Sequence, residues 1–456
     1  MNQTKISIPK GTRDFGPEIM VKRNFILKTI QSIFEKFGFL PIETPSIENL
    51  SVLTGKYGED GDKLLFKVLN SGDYLSKTNL KDYQLGSAHL TQKISKKGLR
   101  YDLTVPLARF VVMNRNEITL PFRRYQIQPV WRADRPQKGR YQEFYQCDAD
   151  IIGTNSAICE AEIILMISES FAILGITDYL IKINHRGILK AIVEQLGVPG
   201  KENDYAIAID KLDKIGTDKV LDELKDRGFK VSTIEKLRPI ISLSGSTAEK
   251  VKLMEDIIGD NKSGKEGLAS LHEIFEILDD MDFQITNLQF DQNLARGLSY
   301  YTGITFEVIV NKVSVGSVCG GGRYDNLTGA FGMPDIPGTG ISFGIDRIYD
   351  VMQELDLFPK EVFETSKVLI TNFDQKSQKF ALRTLSKIRA EGINCEIYPD
   401  HTKLKKQFNY ADKKLIPYVL LVGPEEIQSG EFSLKNMSTG EQVSINLEGV
   451  IEILKQ

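Results

Sequence analysis

Residues 130–150 read VWRADRPQKGRYQEFYQCDAD, a basic loop held between two runs of alternating polar and apolar residues. RRYQIQPVWR before it and RYQEFYQCDADIIG after it carry the aromatic and β-branched residues of strands, so the stretch predicts an antiparallel hairpin. The loop sets Arg132, Arg135, Lys138 and Arg140 within nine positions, and the returning strand closes on Asp148 and Asp150. Side chains alternate faces along a strand. Arg140, Phe144, Gln146 and Asp150 therefore point one way, as do Arg124, Gln126, Gln128 and Arg132 on the preceding strand. Phe144 to Asp150 covers roughly 20 Å at a rise of about 3.3 Å per residue, the length of a nucleotide joined to an amino acid. Arginines there suit phosphate oxygens, which they bind bidentately. Phe144 offers a plate on which a base stacks. An amphipathic hairpin with cross-strand ion pairs has the same pattern, so the hairpin alone does not decide the chemistry.

Three further clusters bear on it. RYDLTVPLARF places Asp102 and Thr104 on one face if the segment is a strand, a carboxylate and a hydroxyl that receive an ammonium group. LARGLSYYTGITFEV sets Arg296 at a strand start beside a glycine, with Tyr300 and Tyr301 on opposite faces. GSVCGGGRYDNLTGAFG, followed by GTGISFGIDRIYDVM, supplies glycines that permit close backbone approach and a strand leading into a helix that carries Arg347. The phosphate-loop pattern does not account for them. Its nearest match, GDNKSGKE at 259–266, has Glu266 where a magnesium-binding hydroxyl belongs, and no strand leads into it.

The rest of the chain bounds the class. At 456 residues it is too long for one core. With 41% hydrophobic and 26% charged residues it has the composition of a soluble globular protein. No secretory signal is read in MNQTKISIPKGTRDF, and no apolar run reaches the length of a membrane helix. Four cysteines (147, 159, 319, 395) without a CxxC pair, and four dispersed histidines, argue against a metal site or disulfide framework and for the reducing cytoplasm. A net charge of −3 does not exclude nucleic acid, because phosphate binding depends on local charge. KLKKQFNYADKK, residues 403–414, carries five lysines against one aspartate and is a candidate patch.

Helical spacing runs over 17–38, and FLPIETPSI reads as a strand interrupted by Pro41 and Pro45. Residues 69–98 are polar and lysine-rich without clean periodicity. The expected organisation is a catalytic domain over 1–186 and 283–357 interrupted by a helical insertion at 187–282. A linker at 358–366 then leads to an α/β domain at 367–456.

Taken in order, these pieces resemble the class II aminoacyl-tRNA synthetases, and within them the histidine–tRNA ligases. KGTRDF and GFLPIETPSIE look like the family's opening and its motif 1, with Pro45 at the dimer interface. VWRADRPQKGRYQEFYQCDAD looks like motif 2, FGIDR like motif 3, and YDLT and RGLSYYTG like the two histidine signatures. KQFNYADKKLIPYVLLVG is similar to the family's anticodon-binding domain. The resemblance implies an α+β fold: a six-stranded antiparallel sheet flanked by helices, a helical insertion and a C-terminal α/β anticodon-binding domain. It implies ATP as substrate with Mg2+, a histidyl-adenylate intermediate, tRNA(His) as partner, a homodimer, and no membrane. By position, Arg132 would hold the α-phosphate, Arg140 and Arg347 the γ-phosphate, and Phe144 the adenine. Asp102, Leu103, Thr104 and Gln146 would bind the amino and carboxylate groups of histidine, and Asp150, Tyr300 and Tyr301 would surround its imidazole. Arg296 would be the catalytic arginine at the α-phosphate. Arg135, Gln137 and Lys138 at the loop tip, with Lys405 and Lys406, would touch tRNA. Ser299 stands where the family usually has Asp, and the 69–98 excursion is longer than the family's connection. A histidine-binding regulatory paralogue, a ligase for another amino acid and an RNA-binding module are the rival readings. Each leaves either the arginines, the histidine signatures or the C-terminal domain without a use.

Overall fold

The computed structural model describes residues 6–56, 58–137, 139–283, 286–295, 301–359 and 366–455. The chain divides into two compact units, Met1–Asp14 with Ile26–Leu357 and Phe15–Phe25 with Phe358–Gln456.

The strands of the larger unit are β1 (Leu40–Pro41), β2 (Ile47–Asn49), β3 (Lys67–Val68), β4 (Lys97–Leu99), β5 (Phe122–Trp131), β6 (Glu143–Ile152), β7 (Tyr179–His185), β8 (Leu288–Phe290), β9 (Ile304–Val310), β10 (Cys319–Tyr324) and β11 (Gly338–Gly344). Eight of them form one sheet, ordered β1-β5-β6-β11-β10-β9-β7-β8. The six expected antiparallel strands are its centre, and the short edge strands β1 and β8 add to it in parallel. β2, β4 and β3 make a small separate sheet.

The two faces of the large sheet differ because its strands alternate. Tyr125, Cys147, Ala149, Ile151 and Phe343 are buried apolar residues, and the helix Pro17–Lys36 lays Phe34 on them, its ring 5.7 Å from those of Tyr125 and Phe343. The residues between them are polar: Arg124, Gln126, Gln146, Asp148 and Asp150. That polar face belongs to the site.

The hairpin forms as the alternation predicts, with Gln128 opposite Gln146, Gln126 opposite Asp148 and Arg124 opposite Asp150. Other expectations change. FLPIETPSI is not one strand: β1 stops at Pro41 and β2 begins after Pro45, because neither proline donates to a ladder. YDLT is not a strand either. Asp102 precedes the helix Thr104–Met113 and accepts the backbone N–H of Val105 at 3.2 Å, which ends the extended chain there. The 69–98 excursion holds two helices, Leu80–Gln84 and Ser87–Ile94, of 5 and 8 residues, too short to display a period. Asn79 and Asp82 form a capping box, and Asp82 also receives Lys93 at 2.6 Å and His89 at 3.0 Å.

Between β7 and β8 the chain is helical, from Arg186–Gln195 through Glu202–Ile209, Leu212–Asp226, Val231–Ile241 and Thr247–Ile258 to Lys262–Asp280. Among the described residues no helix is long and apolar enough to cross a membrane.

The second unit holds β12 (Val368–Ile370), β13 (Cys395–Ile397), β14 (Tyr418–Leu421), β15 (Phe432–Asn436) and β16 (Gln442–Ile445), in the order β13-β12-β14-β15-β16. Val368 and Ile370 join the core that includes Leu385, Ile388, Leu434 and Leu454, whereas Leu369 joins Tyr398, Ala411 and Val419 on the opposite face. The period of two thus covers both sheet faces with helices, Gln375–Ala390 and Leu447–Lys455 on one and Leu404–Lys413 on the other.

Candidate active site

A cavity of about 330 Å³ opens on the polar face of the large sheet. Four segments far apart in sequence meet around it. The YDLT segment brings Tyr101, Asp102 and Thr104; the hairpin brings Arg132, Arg140, Phe144 and Gln146. β10 and the residues before it bring Ser317 to Gly321, and the β11-to-helix junction brings Ser342, Gly344, Asp346 and Arg347.

Direct contacts join these segments. Arg132 donates its Nε–H to the Tyr101 carbonyl at 3.1 Å, and its guanidinium lies 4.3 Å from the Tyr101 ring centroid and 5.1 Å from that of Phe144. Arg347 follows Ile345 and Asp346 at the start of the helix Ile345–Glu354. It donates to Ser317 O at 2.5 Å and to Gly139 O at 3.3 Å, which sets it beside the hairpin loop. Gln146 donates to the Ser342 hydroxyl at 2.9 Å across the β6/β11 ladder. Arg140 is half exposed at the rim, 3.7 Å from Asp134. Three arginines thus ring one cavity whose other polar members include Asp102, Thr104, Asp134, Gln146, Ser342 and Asp346.

Of the residues singled out by sequence, Arg132, Arg140, Phe144, Gln146, Asp102, Thr104, Tyr301 and Arg347 line the cavity. Tyr301 does so from a non-strand position before β9, and its expected opposition to Tyr300 lies outside the described residues. Leu103 is fully buried and not on the wall, because it fills the core under the start of the Thr104–Met113 helix. Asp150 is also off the wall. It is 3% exposed, its Oδ2 lies 2.6 Å from Arg124 Nη2 and its Oδ1 accepts the Tyr324 hydroxyl at 2.6 Å. Parity gave its face correctly but not its depth. Arg135 and Gln137 are exposed on the loop, and Lys405 and Lys406 are exposed on the Leu404–Lys413 helix of the second unit. Lys138, Arg296 and Tyr300 lie outside the described residues.

Sequence reading assigned no role to several groups that build the site. Arg13, in KGTRDF, reaches Asp346 at 2.6 Å and stacks its guanidinium 3.2 Å from the Tyr141 ring centroid. An arginine in an otherwise polar opening segment was the only signal for it. Arg124 and Tyr324 hold Asp150, and nothing local marks an arginine within RRY as the fully buried one.

Burial dominates the electrostatics behind the wall. It pushes the Asp148 carboxyl up to about 7, against the pull of Arg124 and with the help of Asp150. It raises Asp150 as well, opposed by Arg124 and then by the Tyr324 hydrogen bond. Gly340 lies opposite Asp150 on β11, and a Cβ there would fall 2.1 Å from Asp150 Oδ1, so only glycine lets the strands close over this carboxylate. Among the described residues no group of three or more His, Cys, Asp or Glu is placed to hold a metal ion. The described residues of the site thus form no magnesium cage of their own.

A sheet of this order, whose polar face meets an arginine-bearing hairpin loop, defines the catalytic unit of a class II aminoacyl-tRNA synthetase. Comparisons with known proteins narrow the class. Residues 89–348 match the family model of histidyl-tRNA synthetase, and residues 367–456 match that of an anticodon binding domain. The chain is 56% identical over 450 residues to a histidine–tRNA ligase of Cytophaga hutchinsonii, covering 99% of both chains. It is 50% identical over 454 residues to one of Christiangramia forsetii, again covering 99% of each. The crystal structure of histidyl-tRNA synthetase from Nostoc sp. PCC 7120 superposes with a TM-score of 0.84 at 27% identity, covering 99% of both chains. The chain belongs to the histidyl-tRNA synthetase family.

Proposed function

We propose that this chain, a histidine–tRNA ligase, activates histidine with ATP in the cavity of its larger unit. The histidyl group then passes from the adenylate to tRNA(His), with release of diphosphate and then AMP. The observation that carries the reading is the convergence of Asp102, Arg132, Gln146 and Arg347 on one cavity from three separate segments.

Arg132 is assigned to the α-phosphate and Arg140 and Arg347 to the γ-phosphate. Phe144 already has a guanidinium near its ring and is assigned to the adenine. Activation joins a histidine carboxylate oxygen to the α-phosphorus as the bond to diphosphate breaks. Fixed cations where charge develops, and alignment of the two reactants, supply the rate. Asp102 and Thr104 receive the ammonium, Gln146 orients the carboxylate, and Tyr301 meets the imidazole. Asp150 acts from behind the wall. A neutral imidazole has one donor and one acceptor nitrogen, so a site paired to both leaves buried polar groups unsatisfied by an apolar amino acid. Discrimination by roughly 10⁴ follows without an editing step. Arg296 and Tyr300 retain the catalytic and imidazole-facing roles that the family pattern gives them. Arg135, Gln137 and Lys138 are assigned to the acceptor end of the tRNA, and Lys405 and Lys406 to its anticodon arm.

Magnesium enters with the phosphates of ATP. The working form is a homodimer with Pro45 at its interface, in the cytoplasm, where the four buried cysteines stay reduced. The test is ATP–diphosphate exchange with each of the twenty amino acids. Exchange with histidine alone is expected; exchange with proline in place of histidine refutes the substrate, and none at all refutes activation.

A further inference from the structure

The two arginines assigned to the γ-phosphate stand on separate elements, Arg140 on the hairpin loop and Arg347 on the helix that follows β11. Such a clamp fits a phosphate only while loop and helix keep their spacing. Inside the cavity Arg347 supplies a tie of its own, donating its Nε–H to Gly139 O at 3.3 Å, the long end for such a bond. A phosphate competes for that same guanidinium.

Arg13 supplies a tie from behind the wall. It is not among the lining residues, but Tyr141 and Asp346, which it touches, both are. Its Nη2 donates to Asp346 Oδ1 at 2.6 Å, and its guanidinium lies 3.2 Å from the centroid of the Tyr141 ring. Tyr141 follows Arg140, and Asp346 precedes Arg347. One planar cation thus holds the chain neighbour of each arginine in the clamp. Arginine combines the flat face that stacks with the N–H groups that meet a carboxylate. The segment carrying Arg13 is fixed to the loop in turn. Pro9 O accepts the Thr12 N–H at 3.2 Å and the Thr12 hydroxyl at 2.8 Å, in a turn with Gly11 at φ +87°. Gly11 O then accepts the Gln142 N–H at 2.8 Å. A Cβ on Gly11 would fall 2.7 Å from Gln142 Cγ and 2.9 Å from Pro136 Cγ, so the turn lies closely against both arms of the loop.

We propose, resting on the γ-phosphate assignment of Arg140 and Arg347 above, that Arg13 is a positioning residue for the triphosphate. It keeps the two arginines at one spacing while their own N–H groups turn to phosphate oxygens. ATP and diphosphate carry the γ-phosphate, or the group it becomes, that the clamp holds. AMP and histidine carry neither. Arg13 therefore acts on the affinity for ATP and diphosphate and leaves that for AMP and histidine alone. A contact that only stabilised the fold would loosen all of them together.

The test is ATP–diphosphate exchange by the full-length protein, with the affinities for AMP and histidine measured by calorimetry. Arg13→Gln is expected to raise the KM for ATP and for diphosphate about tenfold, as misplacing a binding group by about 1 Å does, and to leave AMP and histidine binding within about twofold. Arg13→Lys keeps a cation at Asp346 without the flat stack on Tyr141. It is expected to recover most of the loss, leaving about threefold. Should Arg13→Gln fail to fold, Arg13→Lys is judged by the same constants. An unchanged ATP KM overturns the proposal, and so does a weakening shared equally by AMP and histidine. Arg347→Ala separates this role from the assignment beneath it. A raised diphosphate KM in Arg347→Ala with none in Arg13→Gln refutes the role of Arg13 alone, whereas no rise in Arg347→Ala refutes the γ-phosphate assignment.

Discussion

At Gly340 the site depends on the absence of a single carbon. The β6 and β11 strands close until a methyl group there would sit 2.1 Å from Asp150 Oδ1 and 2.8 Å from the Ala149 carbonyl. Gly340→Ala is expected to destabilise the protein by about 1–3 kcal/mol, as overpacking does, and to raise the histidine KM more than the ATP KM. Thermal unfolding and diphosphate exchange measure the two effects; an unchanged melt would mean that Asp150 yields freely. Residues of this kind show where sequence reading stops. Alternation along RYQEFYQCDAD placed Phe144, Gln146 and Asp150 on one face, and the register confirms that face. Depth below the cavity wall is set by the neighbouring strand, whose glycines and Ser342 come from nearly 200 residues further along the chain. No local pattern carries that distance.

Among the elements, the hairpin was legible because ten residues in each strand give a period room to appear. The YDLT turn was not, since four residues fit a strand or a helix start equally well and Val105 N–H decides between them. The two helices of the 69–98 excursion were missed for the same reason of length, and their stability has one centre. Asp82 accepts Lys93 and His89, and these hydrogen bonds, with the capping contact from Asn79, hold its carboxyl at about 2 against an ordinary value of 3.8. A carboxylate depressed in the folded state contributes stability above its unfolded value and loses it as pH falls through the folded one. The excursion is therefore expected to loosen between about pH 4 and pH 2. Amide exchange over residues 79–94 should rise in that window for the wild type, and already at neutral pH for Asp82→Asn. Equal protection of the two proteins at pH 7 would remove Asp82 as the centre.

Across the whole molecule, the two units carry different parts of the task and are separable by assay. Lys405 and Lys406 stand exposed on the Leu404–Lys413 helix, in the unit that matches an anticodon binding domain. The double substitution of Lys405 and Lys406 to Glu is expected to raise the KM for tRNA(His) about tenfold or more and to flatten its dependence on salt, because phosphate contacts are lost. Histidine-dependent diphosphate exchange should not change; if exchange falls in step with charging, the two lysines serve stability and not tRNA.

The second unit also draws on both ends of the chain, since residues 15–25 group with residues 358–456, and Lys22 lies 5.1 Å from the Phe358 ring centroid. During translation the first of these segments leaves the ribosome more than 300 residues ahead of the second. At synthesis rates of about 5–20 residues per second, it waits roughly 15–70 s for its companions. A nascent chain of this protein therefore carries an unfinished seam at residues 15–25 until the segment from Phe358 onward is made, and arrest before that point leaves the seam open to chaperones and proteases.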